Sequence, residues 1–225
     1  MINFSCIPFQ KFKIDDLSNL KRSKICTINN EYIYNFHKDP RIKKIILNSI
    51  NVFDGSYPFY FSKLYSKNNY QNYITGIDLI HYVYNNFRKF KSVTFIGGSN
   101  LSNDRITKIF KNRGFIVKNW CGYVSYDGSS KIKPEIFNSD AIFVALGCKK
   151  QEFFIQKNLK NLKNCEYKFI SGIGGAFDIF LKPKYLPKVI HKLGLGPVWR
   201  LLMEPKIFRL KRIFTSIYTL KYYLR

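Results

Sequence analysis

Gly147 is followed by Lys150-Gln151-Glu152, and Gly172-Ile173-Gly174-Gly175 by Ala176-Phe177-Asp178. Each set follows an apolar run of strand length, Ala141 to Leu146 in the first case and the stretch from Tyr167 in the second. A strand, a glycine and polar residues at a helix start bring free backbone N–H groups to the carboxyl end of a sheet. Open α/β folds bind ligands there, and a helix N-terminus favours phosphate. Three further segments carry the same signature: Thr27–Asn29, Asp54-Gly55 and Gly97-Gly98. One aspartate before a glycine is an ordinary turn former. Its recurrence beside glycine-rich strand ends predicts a ligand crevice. Gly97-Gly98-Ser99-Asn100 departs from G-x-G-x-x-G, which disfavours a dinucleotide.

These segments need a parallel sheet if they are to converge. Lys24–Ile28, Val52-Phe53, Ser92–Ile96 and Phe115–Val117 read as strands beside the two above. Between them lie helices opened by Asn29-Asn30-Glu31, by Asp39-Pro40 and by Thr75-Gly76-Ile77-Asp78, the last with capping-box spacing. Another spans 102–112 and is closed by Gly114, and one runs from Lys150 through Leu159. Strands alternating with helices imply an α/β, Rossmann-like, mostly parallel sheet with helices on both faces. Residues 1–23 read as irregular and basic.

A chain of 225 residues buries one sizeable core, so one domain with an appendage is expected. The 38 basic residues against 14 acidic give +24, which calls for an anionic partner: nucleic acid, anionic lipid or a polyphosphate substrate. Cys6, Cys26, Cys121, Cys148 and Cys165 show no zinc or redox spacing and read as reduced thiols. His37, His81 and His191 form no ligand pattern and read as structural. The N-terminus lacks a signal-peptide core, and no apolar run approaches the ~20 residues needed to span a bilayer.

Leu146-Gly147 with Lys150-Gln151-Glu152, Gly172–Asp178, and Gly194-Leu195 with Arg200-Leu201-Leu202-Met203-Glu204-Pro205 together resemble the WecG/TagA/CpsF family of bacterial glycosyltransferases. The resemblance runs from about residue 25 to 214, in the family's order. It implies an inverting enzyme, without metal or other cofactor. Such an enzyme passes a sugar, of N-acetylmannosamine type or a related hexose, from a UDP-sugar to a polyprenyl-diphosphate-linked acceptor. The product would be a surface polysaccharide or a teichoic-acid-type polymer.

Glycosyl transfer needs a base for the acceptor hydroxyl and stabilisation of the departing diphosphate. The resemblance marks Asp54 as that base. It sets Thr27, Asn29 and Gln151 against the donor sugar and Tyr123 and Asp178 near the nucleotide. Gly97, Gly98, Gly147 and Gly174 line the pocket, and Arg200 meets the diphosphate. With no acidic D-x-D motif, cations for the diphosphate come from the protein. The chain departs from the family pattern in four places. Tyr73 stands at an arginine and Lys149 at a proline, while Tyr185-Leu186-Pro187 replaces Arg-Ala-Pro. After Glu204-Pro205 the basic residues are Lys206, Arg209, Lys211 and Arg212. Lys149 and Lys150 are candidates to make up the charge.

From Lys182 onward there are eleven basic residues and one acid. Ile207, Leu210, Phe214, Ile217, Leu220 and Leu224 recur at three- and four-residue steps, flanked by Lys206, Arg209, Arg212 and Lys221. A packed core helix is the ordinary reading of such a stripe. Its charge and aromatic content favour an interfacial helix on anionic lipid. The expected division is therefore residues 1–195 as the glycosyltransferase domain and 196–225 as a basic membrane-binding appendage. The expected setting is peripheral, on the inner face of a bacterial membrane, with self-association into a homo-oligomer left open. The rivals are a basic nucleic-acid-binding or RNA-modifying protein and a non-catalytic relative of the same fold. No RRM, KH or helix-turn-helix pattern supports the nucleic-acid reading.

Overall fold

The computed structural model describes residues 2–66, 73–181, 196–203, 205 and 207–223. His191, Tyr185-Leu186-Pro187, Gly194-Leu195, Glu204, Lys206 and Leu224 lie outside the described residues, as does the expected boundary at 195. At the centre is a six-stranded parallel sheet in the order β4-β3-β8-β7-β5-β6. Its strands are β3 (Ser23–Ile28), β4 (Ile50–Phe53), β5 (Ser92–Gly97), β6 (Ile116–Trp120), β7 (Ala141–Ala145) and β8 (Phe169–Gly172). All five strand pairs run parallel, so all six carboxyl ends reach one edge.

The apolar runs are continuous because both faces are covered. Val93, Phe95, Phe143 and Phe169 point to one face, where α4 (Gly76–Asn85), α5 (Asn100–Asn112) and α8 (Ala176–Leu181) pack. Phe95 is the hub of this layer, 5.0 Å from Phe110, 5.4 Å from Phe177 and 5.9 Å from Phe143. Alternate residues Ile96, Ile142, Val144 and Ile170 meet α6 (Lys150–Lys157) and α7 (Leu159–Lys163) on the other face. Beside them Cys26, Ile28 and Phe53 meet α1 (Asn30–Lys38) and α2 (Pro40–Leu47).

The caps act as their sequences suggest. Asp39 accepts from the Arg41 N–H at 3.1 Å ahead of Pro40. Thr75 accepts from the Asp78 N–H at 3.3 Å, while Asp78 accepts from the Thr75 N–H at 2.8 Å. Each such cap is worth ~1 kcal/mol. Asn158 divides the helix expected from Lys150 to Leu159 into α6 and α7.

Residues 2–22 differ from the irregular stretch expected over 1–23. They form a hairpin of β1 (Ile2–Phe4) and β2 (Ile7–Phe9), then a 3-10 helix, Ile14–Asn19. Phe4, Ile7 and Phe9 are buried, and Phe9 stacks on Phe53 with ring centroids 3.8 Å apart. Three-residue strands are too short to show a period, which is why the hydrophobic pattern missed them. A further helix, α3 (Ser56–Ser66), follows Asp54-Gly55 directly.

At the C-terminal end are α9 (Gly196–Met203) and α10 (Ile207–Tyr223). The latter lies on α1 by an unexpected face. Thr219 donates to the Asn30 carbonyl at 3.1 Å, Tyr222 stacks on His37 at 4.2 Å, and Tyr223 meets Phe4 at 5.0 Å. The apolar stripe Ile207, Leu210, Phe214, Ile217 and Leu220 points outward and is exposed. Among the described residues no helix is long and apolar enough to cross a membrane.

Candidate active site

Two neighbouring strands at the middle of the sheet send the chain in opposite directions. β5 leads outward to β6, and β7 leads the other way to β8. Their carboxyl ends therefore form a topological switch point, where open α/β sheets bind ligands. Gly97 and Gly98 close β5 with φ of +81° and +76°. A Cβ on Gly97 would stand 2.7 Å from the Ala145 carbonyl, and the Gly98 N–H donates to that same oxygen at 2.8 Å. The turn therefore requires glycine for both its conformation and its closeness to β7. At Gly55, Gly147, Gly174 and Gly175 an added Cβ would meet nothing within 4 Å. Those turns border open space along the carboxyl edge.

Two helices begin at this switch point and aim their N-terminal amides at it. Ser99 caps α5 by accepting from the Ser102 N–H at 3.1 Å. The Ser102 hydroxyl in turn donates to Asp178 Oδ1 at 2.5 Å, fixing that exposed carboxylate beside the start of α5. α6 starts after Lys149, a non-glycine residue at φ +69°. Proline, held near −65°, could not adopt that angle.

The two candidate lysines separate here. Lys149 Nζ lies 3.6 Å from Asp39 Oδ2, where Arg41 also pairs, so its charge is already shared. Lys150 Nζ lies 5.7 Å over the ring of Tyr123, which is 83% exposed. The loop carrying Tyr123 is anchored by Gly128, where a Cβ would come 2.3 Å from the Phe153 carbonyl carbon.

On the other side of β8, the ends of β3 and β4 hold Asn29 and Asp54. Asn29 Oδ1 caps α1, accepting from the Glu31 and Tyr32 N–H groups, while Nδ2 donates to Asp54 Oδ2 at 3.3 Å. The Asp54 N–H donates to the Ile28 carbonyl at 2.9 Å. The chain returns to this corner at Ile74, whose N–H donates to the Phe53 carbonyl at 2.9 Å. Tyr73 is thereby brought into electrostatic range of Asp54. Burial, with Tyr60, Asp78 and Asp54 nearby, raises its phenol above the usual value. Thr27 is buried one residue inside the end of β3.

Gln151 differs from its expected place. It is 2% exposed, and its Oε1 accepts from the Gly174 N–H at 3.1 Å. Gly172 leaves the room it needs, since a Cβ there would come 2.4 Å from Gln151 Nε2. Gln151 thus supports the Gly174 turn from beneath. Its Nε2 donates to the Tyr32 hydroxyl at 2.5 Å, and that hydroxyl donates to Glu152 Oε1.

The fold brings Thr27, Asn29, Asp54, Gly97, Gly98, Gly147, Gln151 and Gly174 to one edge, with Tyr123 and Asp178 flanking it. Arg200 lies on α9, and its side chain is outside the described residues. Sequence reasoning passed over Tyr32 and Ser102, and marked Tyr73 only as a departure from the family pattern. Nothing in their spacing sets them apart from core or cap residues. Glu152 left a trace, as an acid between Gln151 and Phe153-Phe154 on a buried helical stretch. Among the described residues no three His, Cys, Asp or Glu side chains converge as metal ligands. A concavity of ≈ 520 Å³ lined by Asp15, Asp16, Arg88, Lys89 and Lys168 lies at the start of β8, opposite the carboxyl edge.

The model of the Glycosyl transferase WecG/TagA/CpsF family matches residues 2–224. The chain is 33% identical over 100 residues to the N-acetylglucosaminyldiphosphoundecaprenol N-acetyl-beta-D-mannosaminyltransferase of Staphylococcus aureus strain MRSA252. It is 31% identical over 100 residues to the enzyme of the same name from strain MW2. Each alignment covers 43% of this chain and 38% of the relative. With the family model spanning almost every residue and the sheet, glycine turns and Asp54 in the expected order, the chain belongs to the WecG/TagA/CpsF family of glycosyl transferases.

Proposed function

We propose that the chain is an inverting, metal-independent glycosyltransferase that moves a sugar of N-acetylmannosamine type, or a related hexose, from a UDP-sugar to a polyprenyl-diphosphate-linked acceptor. The observation that carries this reading is the Asp54 carboxylate at the same sheet edge as two helix N-termini and open glycine turns. Asp54 takes the proton of the acceptor hydroxyl as its oxygen attacks the anomeric carbon. The bond between that carbon and the diphosphate breaks, and UDP leaves with the bonding electrons. The amides at the starts of α5 and α6, with Lys150 and Arg200, meet the growing negative charge. Tyr123 offers a face for uracil, and Asp178, held by Ser102, accepts from ribose hydroxyls.

The outward stripe of α10 and its basic flanks suit the inner leaflet of a bacterial membrane, where a polyprenyl-linked acceptor resides. The relatives' name, which specifies an N-acetylglucosaminyl diphosphoundecaprenol, supports that acceptor class. The test supplies purified protein with a panel of UDP-sugars, polyprenyl-diphosphate-linked N-acetylglucosamine and EDTA. Transfer of one sugar is expected. Loss of transfer with every donor, together with no thermal protection by UDP, would overturn the reading. Retention on a nucleic-acid resin at raised salt would favour the nucleic-acid alternative.

A further inference from the structure

Tyr32, Gln151 and Glu152 are 4%, 2% and 2% exposed, yet they join three separate elements by hydrogen bonds. Tyr32 lies in the first turn of α1, Gln151 and Glu152 in the first turn of α6, and Gly174 in the turn after β8. The donors and acceptors leave a single direction along the chain. The Gly174 N–H must donate, so Gln151 presents its carbonyl oxygen there. Its amide nitrogen then donates to the Tyr32 oxygen, and the Tyr32 proton goes to Glu152 Oε1. The acceptor at the end of this chain fixes the orientation of every group before it.

Glu152 is expensive to keep in this position. Its Oε2 is buried with no hydrogen-bond partner, a defect that folded proteins seldom retain. Lys24 and Cys26 on β3 are within electrostatic range, but neither bonds to it. An apolar residue beside Phe153 and Phe154 would serve the core better.

We propose that Tyr32 and Glu152 are positioning residues, a buried brace that orients the Gln151 amide and through it holds the Gly174-Gly175 turn in the shape that receives the donor. This proposal rests on the glycosyltransferase reading. It adds that the donor pocket is preorganised from α1 beneath it, through residues that never touch the donor. Tyr32 also follows Asn29 by three residues, so α1 carries the Asp54 contact and the brace on the same first turn.

The experiment compares Tyr32→Phe and Glu152→Gln with the wild-type chain. Tyr32→Phe keeps the ring and deletes the hydroxyl that both accepts and donates. Glu152→Gln keeps a carbonyl acceptor for Tyr32 and should rescue the brace, which a merely structural loss of charge would not do. Hydrogen exchange at the Gly174 amide, followed by NMR, should quicken at least ~10-fold in Tyr32→Phe and stay within about threefold in Glu152→Gln. The apparent Kd for UDP should rise by ~5–30-fold in Tyr32→Phe only, with kcat changing less than KM. Unchanged Gly174 exchange in Tyr32→Phe, or equal damage from both variants, overturns the brace. If the wild-type chain itself ignores UDP, the donor reading fails while the exchange data still judge the brace.

Discussion

Asn29 joins the ends of β3 and β4 by donating to Asp54 Oδ2 across 3.3 Å, with the same side chain capping α1. The proposed base is therefore oriented by a residue that the first helix also needs.

Asp54→Asn preserves shape and should leave UDP binding intact while turnover falls ~10²–10⁴-fold. Single-turnover kinetics with labelled donor would measure this. Near-normal turnover would remove Asp54 from the role of base.

Tyr73 stands where the family resemblance implies an arginine, within electrostatic range of Asp54. In Tyr73→Arg a cation would face that carboxylate and favour its charged form. The acid limb of the pH profile of kcat/KM should then move down by about one pH unit, with several-fold slower turnover at neutral pH. An unmoved limb would separate Tyr73 from the chemistry of Asp54.

Burial raises the Glu152 carboxyl to about 7 from an ordinary 4.5, against the lowering effect of the hydrogen bond from Tyr32. Lys24, Cys26 and Tyr32 are the titratable groups around it. The folded chain holds this proton between pH 4.5 and 7 while the unfolded chain releases it. That contribution to stability is complete below pH 4.5 and is lost as pH rises through 7. Relative to Glu152→Gln, the wild-type chain should lose up to ~3 kcal/mol between pH 4.5 and 8. Urea unfolding of both proteins across that range would show parallel curves if Glu152 titrates normally.

Gly128→Ala meets two obstacles, a φ of +86° and a Cβ 2.3 Å from the α6 backbone. It should cost roughly 3 kcal/mol and lower the thermal midpoint by ~5–10 °C. Circular dichroism melting would check it. Loosening this loop should also weaken UDP binding, because the loop carries Tyr123.

The two faces of α10 can be tested separately. Phe214→Ser with Ile217→Ser alters only the exposed stripe and should abolish pelleting with anionic vesicles while the melting point holds. Tyr222→Ala opens the core against His37 and should cost ~3 kcal/mol, leaving vesicle binding in the folded fraction. Deleting 206–225 would strip Tyr222 and Tyr223 as well and so confuse the two effects.

Much of the frame was legible because its strands are buried on both faces and its helices are capped by Asn29, Asp39 and Thr75. Phe4, Ile7 and Phe9 were hidden by the shortness of their strands, and the Tyr-Phe-rich stretch of α3 showed no clear stripe. The glycine turns pointed to the candidate site, since Gly55, Gly97, Gly98, Gly147 and Gly174 all take positive φ, which other residues seldom adopt. The brace stayed invisible because Tyr32 and Glu152 meet only through long-range packing, 120 positions apart. The packing face of α10 stayed hidden for a related reason: its regular apolar stripe lies outside, as an interfacial helix would have it, while Thr219, Tyr222 and Tyr223 do the packing.

The position of β3 between β4 and β8 bears on how the chain comes to fold. Ile25 and Ser171 are neighbours in the sheet although 146 positions separate them. A growing polypeptide cannot pair β3 with β8 until the chain has been made as far as Ser171. At ~5–20 residues per second the β3 edge waits for ~7–30 seconds beside the exposed β5 and β7 runs. Such a chain should refold slowly from denaturant and depend on chaperones during synthesis. Tyr223, made later still, packs against Phe4 of the N-terminal hairpin.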